Sequence, residues 1–304
     1  MNAEDLRWRR QLARELTIRA RAPTREVMSA SLSFGGKARR IGITGPPGAG
    51  KSSLIALLAK QWTERPSKVG VLAVDPTSPL SGGSLLGDRI RMDEISANSN
   101  LFIRSLPSGN TSDGLCPNIL SLLDAFDEAA FDHVILETVG VGQVSYQAKA
   151  LVDTFVVVLV PESGDTVQAM KAGILELADI YVVNKADLPA AAKIAAELRS
   201  IALWRGRNES WVPPVILTSA TDNRGASELS DAIASHRKAS LTEERMAALA
   251  IARREYLLRT LLLGQIDELL ARNRTELQHL PLAESLRALI AGLGSGADVT
   301  SKSR

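Results

Sequence analysis

Residues 45–53, GPPGAGKSS, match the pattern G-x-x-x-x-G-K-S with Gly45, Gly50, Lys51 and Ser52 at its defining positions. Glycines at this spacing let backbone N–H groups turn toward phosphate oxygens, and a helix that begins at the lysine offers its positive end to the same anion. Lys51 is therefore expected to reach the β- and γ-phosphates of a nucleotide, and the Ser52 hydroxyl to ligate magnesium. As a string the pattern has chance matches. Here it lies between the apolar run RIGIT and the helical stretch SSLIALLAKQW, the context that gives it meaning.

Other residues address the base and the terminal phosphate. DIYVVNKADL ends an apolar run with Asn184, Lys185 and Asp187, the spacing N-K-x-D. A carboxylate there accepts hydrogen bonds from both N1–H and the 2-amino group of guanine, whereas adenine has neither donor on that edge. ATP would leave Asp187 unpaired, and unpaired buried polar groups are how sites discriminate strongly. LTSAT places Ser219, Ala220 and Thr221 where guanine-specific enzymes set a backbone N–H against the base oxygen. In HVILETVGVGQ, Glu137 closes an apolar run, a position from which an acid reaches magnesium directly or through water, and Gly140 can present its N–H to a γ-phosphate.

These residues need a frame that brings them to one edge. RIGIT, VGVLAV, HVILET, TFVVVLV, DIYVVN and PVILTS are apolar along their whole length, as strands covered on both faces by helices are. The expected fold is α/β: a P-loop NTPase with a mostly parallel, doubly wound sheet, an N-terminal helical extension and a C-terminal helical arm. The expected divisions are 1–36 for the extension, 37–225 for the GTPase domain, and 226–304 for the arm with a Gly/Ser-rich tail expected to fray. Residues 3–20 place Leu12 and Leu16 at helical spacing among charges, so an amphipathic surface helix is expected. Residues 227–291 are helical in pattern and rich in leucine. That leucine face either packs back on the same chain's sheet or forms a dimer, and a homodimer is the expectation carried forward.

Composition narrows the partners. The 304 residues include 36 basic and 34 acidic side chains, a net charge of +2, so no global field draws the chain to nucleic acid or to a membrane. No apolar run nears the roughly 18 residues of a membrane span, and the first residues form no short charged-then-apolar leader, so a cytoplasmic protein is expected. One cysteine, Cys116, excludes an internal disulfide framework and a multi-cysteine zinc site. His133, His236 and His279 are scattered and read as packing residues rather than metal ligands.

Taken together, GPPGAGKSS, DPTSPLSGGSLLGDRIRM, ETVGVGQ, GILELADIYVVNKADL and TSA resemble the GTPase family that includes the methylmalonyl-CoA mutase-associated chaperones, once labelled arginine/ornithine transport ATPases. The likeness covers roughly residues 10–225 and is specific, because ordinary Ras-like GTPases lack the second motif. It implies a slow GTPase binding GTP, GDP and Mg2+, stimulated by an adenosylcobalamin (B12)-dependent acyl-CoA mutase that it loads, protects and clears of damaged cofactor. The family's phosphate loop maps onto Gly45, Pro46, Pro47, Gly48, Ala49, Gly50, Lys51, Ser52 and Ser53, and its magnesium-linked acids onto Asp75, Asp88 and Glu137. Asp165 and Lys171, in PESGDTVQAMKAG, stand at matching places of a mobile segment that signals nucleotide state to the mutase.

Departures from the family pattern fall in loops. The chain reads SGNTSDGL over 108–115 where RGxLGGL is usual, GVGQVS where GVGQSE is usual, and Glu162 where a small residue is usual. These put the identity of the mutase in question more than the nucleotide chemistry, and isobutyryl- or hydroxyisobutyryl-CoA mutases are alternatives.

The expected reaction is attack of water on the γ-phosphate, driven by positioning and charge stabilisation. No residue announces itself as the group that orients the water, and the roles of Asp75 and Asp88 in holding magnesium or orienting water stay open. Asp75 ends VGVLAV on the side of the sheet where such folds bind ligands, Asp88 begins the next helical stretch, and the Pro and Gly between them permit two arrangements of one loop. Competing readings are an ATP-dependent kinase or transport ATPase, which has no use for NKAD; a metal-insertion GTPase, which would carry His-rich tracts or paired cysteines; and a non-hydrolysing interaction module.

Overall fold

The structure is a computed structural model and describes residues 3–29, 34, 36–75, 98–108, 114–138, 143–161, 173–208, 210–240 and 242–295. Its described strands are β1 (Arg39–Thr44), β2 (Val69–Asp75), β3 (Leu101–Pro107), β4 (His133–Thr138), β5 (Thr154–Leu159), β6 (Ile180–Val183) and β7 (Val215–Leu217). The described α-helices are α1 (Ala3–Arg21), α2 (Thr24–Ser29), α3 (Lys51–Thr63), α4 (Ile119–Glu128), α5 (Gln143–Leu151), α6 (Ile174–Leu177), α7 (Ala191–Arg205), α8 (Ala226–Ser240), α9 (Glu243–Arg272), α10 (Arg274–Leu277) and α11 (Leu282–Ser295).

All strand pairs are parallel, in the order β3-β2-β4-β1-β5-β6-β7. The expected sheet is therefore present. β2 and β5 are buried at every position, which explains the unbroken apolar runs VGVLAV and FVVVL within them. Side chains alternate between the two faces. Ile41, Ile43, Val69 and Val71 join one core cluster with Leu54, Ile55 and Leu58 of α3 and Leu229 and Ile233 of α8. α4 lies on the other face, where Phe126 approaches Gly70 so closely that a Cβ on the glycine would sit 2.6 Å from its ring.

β3 is the strand the sequence reading did not mark. It sits at the edge of the sheet and is only partly buried, so LFIRSLP carries Arg104 and Ser105 where an interior strand would be apolar. α1 covers this edge. Arg9 donates to the carbonyls of Asn98 (3.5 Å) and Leu101, and Arg104 donates to Thr17 Oγ1 at 3.0 Å. Leu12 and Leu16 are buried, as the amphipathic spacing predicts. Arg19 bonds the Ser121 carbonyl at 3.0 Å, and Asn118 Nδ2 returns a bond to the Arg19 carbonyl at 2.9 Å, fastening α1 to α4. Such cover protects an edge whose backbone would otherwise recruit another strand.

At the amino ends of the strands, Arg40 is 1% exposed and pairs with Asp124 at 2.7 Å and with Asp127. Asp153 accepts from the Arg40 backbone N–H at 2.9 Å and from Arg253 Nη2 at 2.7 Å. Buried charges persist only when paired in this way.

The chain divides into two compact units, Met1–Arg21 with Leu32–Arg253, and Ala22–Ser31 with Arg254–Arg304. Within the second, Thr24 Oγ1 donates to Glu268 Oε1 at 2.9 Å, and Asn273 Nδ2 donates to the Leu269 carbonyl at 2.9 Å. Leu258, Leu262, Leu282, Leu286 and Ile290 remain exposed on its helices. Among the described residues, no helix is long and apolar enough to cross a membrane.

Candidate functional site

The site collects at the carboxyl ends of the central strands. β1 stops at Thr44, the chain turns through Gly45–Gly50, and α3 starts at Lys51. Two glycines are required there by geometry. Gly45 has φ +152° and a Cβ on it would lie 2.2 Å from the Val158 carbonyl oxygen, while Gly50 has φ +79° and a Cβ would lie 2.3 Å from Asn184 Nδ2. Lys51 is buried, and its ammonium donates to the carbonyls of Gly45 at 3.1 Å and Pro46 at 3.2 Å. The side chain thus folds back over the loop that its own helix begins. Pro46, Pro47, Gly48, Ala49 and Ser53 complete the segment.

Beside it lies an oxygen-rich group. Ser52 Oγ donates to Glu137 Oε1 at 3.0 Å, joining the first turn of α3 to the end of β4. Ser52 and Glu137 are 4% and 1% exposed. Ala73 of β2 stands opposite Glu137 and Val74 opposite Thr138, which puts Asp75, 3% exposed, at the same edge. A hydroxyl and carboxylates are hard donors, the set Mg2+ takes together with phosphate oxygens and water rather than as an all-protein cage. Among the described residues there is no cluster of three or more His, Cys, Asp or Glu side chains that could hold a metal.

The NKAD segment sits next to the loop. Asn184 follows β6 and is 2% exposed; its Nδ2 donates to the Ala49 carbonyl at 2.8 Å, and its Oδ1 accepts from Thr218 Oγ1 at 3.0 Å. One amide therefore ties the turn to the phosphate loop and to the end of β7. Lys185 adopts φ +55°, uncommon for a side-chain-bearing residue, and the Ala186 N–H bonds the Thr218 carbonyl at 2.9 Å. Asp187 is exposed, and Ser219 Oγ lies 3.0 Å from its Oδ1. Ser219 Oγ also lies 3.0 Å from Thr221 Oγ1 and 2.9 Å from Asp222 Oδ2. Ala220 sits between these hydroxyl-bearing neighbours.

The structure thus gathers Gly45 to Ser53, Asp75, Glu137, Asn184, Lys185, Asp187 and Ser219 to Thr221 along one edge of the first unit. Asp88, Gly140, Glu162, Asp165 and Lys171 lie outside the described residues. Thr218 was missed by sequence reasoning. It is fully buried and orients the Asn184 amide, and the only signal for it was its place one residue before Ser219 at the end of an apolar run.

The histidines are dispersed. His133 stacks on Trp62 with ring centroids 4.3 Å apart, His236 is buried with Nδ1 2.9 Å from Thr154 Oγ1, and His279 is exposed. Cys116 is a buried free thiol. Burial, and then the charge of Arg39, push the His133 imidazole down to about 4.

A profile of the methylmalonyl-CoA mutase-associated GTPase family, MeaB, matches residues 12–275. The chain belongs to that family. It is the family the motifs pointed to, and its members' descriptions make this protein a GTPase. A putative GTPase of Pyrococcus abyssi is 43% identical over 235 residues, 76% of this chain and 72% of that protein. The mitochondrial methylmalonic aciduria type A homolog of Mus musculus is 40% identical over 213 residues, 69% of this chain and 51% of that longer protein. Among solved structures, a crystal structure of a LAO/AO transport system kinase superposes with a TM-score of 0.64 at 25% identity, covering 96% of this chain and 97% of that one. MeaB-family membership and the parallel sheet with its phosphate loop agree on a P-loop GTPase.

Proposed function

We propose that this GTPase is a chaperone of an adenosylcobalamin-dependent acyl-CoA mutase, gating cofactor loading and clearing damaged cofactor through GTP binding and hydrolysis. Support for the partner is the family description itself, which names association with methylmalonyl-CoA mutase. A homodimer formed through residues 226–304, a GTPase domain over 37–225 and a cytoplasmic setting belong to the same proposal.

The guanine preference rests chiefly on one observation: Asn184 bonds the phosphate loop at Ala49 while Ser219 holds one oxygen of Asp187, three residues further on. Those two contacts would hold a base-reading carboxylate at a fixed separation from the phosphate loop. In the proposed complex, loop N–H groups and Lys51 neutralise the β- and γ-phosphates, and Asp187 receives N1–H and the 2-amino group of guanine. Ser52 and Glu137, with Asp75 and Asp88, would hold Mg2+, which when bound supplies positive charge against the phosphoryl oxygens. Gly140 would present its N–H to the γ-phosphate, and Asp165 and Lys171 would carry nucleotide state to the mutase.

Direct titration with labelled GTP and ATP tests the nucleotide assignment. GTP is expected to bind at least about a hundredfold more tightly, the scale set by an unpaired polar group in the wrong complex. Equal affinity, or preference for ATP, would overturn it.

A further inference from the structure

The arginines of α1 fall into two sets. Arg9 and Arg19 turn inward, to the carbonyls of Asn98 and Leu101 and to Ser121, Glu15 and Glu128. Arg7, Arg10 and Arg14 are exposed, and among the described residues they make no hydrogen bond or ion pair. Separated by three and then four positions, they form one stripe. Glu15, beside this stripe, pairs with Arg19 at 2.7 Å. Like charges at this spacing cost an isolated helix a few tenths of a kcal/mol per pair, so the stripe has no local reason to exist.

Its ends are apolar. Leu6 is 39% and Ile18 62% exposed, and together with the three arginines, Gln11 and the Arg19-paired Glu15 they line a shallow cleft of about 650 Å³. Twelve residues of helix separate them, roughly 18 Å at 1.5 Å per residue. An apolar, basic, apolar sequence along three turns suits a helix with carboxylates between two apolar anchors. It suits a nucleic acid poorly, since phosphates would leave both apolar ends uncovered and the net charge of +2 supplies no wider basic field.

α1 is tied to β3 through Arg9, which donates to the Leu101 carbonyl, and through Thr17, whose hydroxyl accepts from Arg104. β3 joins the 75–92 segment to the 108–115 segment, the two loops that the sequence comparison connects with nucleotide state and partner choice.

We propose that the outer face of α1 is a docking surface for an acidic amphipathic helix of the acyl-CoA mutase, with carboxylates opposite Arg7, Arg10 and Arg14 and apolar residues against Leu6 and Ile18. The assignment rests on the mutase reading above.

The test compares the wild-type chain with R7E/R10E/R14E and R7Q/R10Q/R14Q, measuring affinity for the purified mutase and GTP hydrolysis without it. Charge reversal is expected to weaken mutase binding by about tenfold or more, neutralisation by less, and both to flatten its dependence on salt. Far-UV circular dichroism and hydrolysis by the GTPase alone should stay unchanged. Equal binding by all three proteins would overturn the docking surface while leaving the mutase reading intact. Failure of the wild type to bind the mutase would instead remove that reading, and this one with it. Tighter binding of a single-stranded oligonucleotide than of the mutase, lost in the reversal variant, would overturn the choice of a protein partner.

Discussion

At the scale of single residues, the site is built from groups whose atom types the chemistry dictates. Asp187 presents a carboxylate held at one oxygen by Ser219, so replacing it by Asn exchanges an acceptor for a donor. The Asp187→Asn variant is expected to lose GTP affinity by more than about tenfold and to gain affinity for xanthosine nucleotides, measured by competition binding. An unchanged preference would detach Asp187 from the base. Thr218 acts at one remove, by fixing the Asn184 amide. Thr218→Val keeps the shape and removes the hydroxyl, so nucleotide affinity should fall several-fold and stability by about 1 kcal/mol, with the fold retained. Lys51 and Asp187 stood out in the sequence because the motifs that carry them fix both residue type and spacing. Thr218 did not, because any buried hydroxyl at a strand end reads the same until its partner is seen.

At the scale of elements, whole apolar runs announced six strands, since a strand covered on both faces has no polar positions to interrupt it. β3 escaped because, in an edge strand under α1, Arg104 and Ser105 interrupt the apolar run. Packing between elements also sets a pH response. His133, at the start of β4, stacks on Trp62 of α3, and its imidazole is held down to about 4 from an ordinary 6.5, first by burial and then by Arg39. The unfolded chain therefore takes up this proton before the folded one does. Its contribution is complete above about pH 6.5 and is lost as pH falls toward 4, on the order of 2 kcal/mol after allowing for partial exposure. Denaturant titrations across that window should show a smaller loss of stability for His133→Gln than for the wild type. Equal slopes would remove His133 from the acid response.

At the scale of the whole molecule, one compact unit carries the sheet and the nucleotide edge, while the other consists of described helices that leave Leu258, Leu262, Leu282, Leu286 and Ile290 exposed. The leucine-rich pattern was readable along the chain, but what covers such a face is a property of two surfaces, and a single sequence shows one. The same holds for the stripe of Arg7, Arg10 and Arg14, whose lack of partners appears only after α1 is placed on β3 and α4. On the proposed mutase partnership, turnover of this GTPase would respond to its partner. Single-turnover GTP hydrolysis, with and without a purified adenosylcobalamin-dependent acyl-CoA mutase, measures that response directly. The predicted result is slow hydrolysis alone and an acceleration with the mutase, on the order of a thousandfold where the partner completes the phosphoryl-transfer site. An identical rate in both conditions would contradict it.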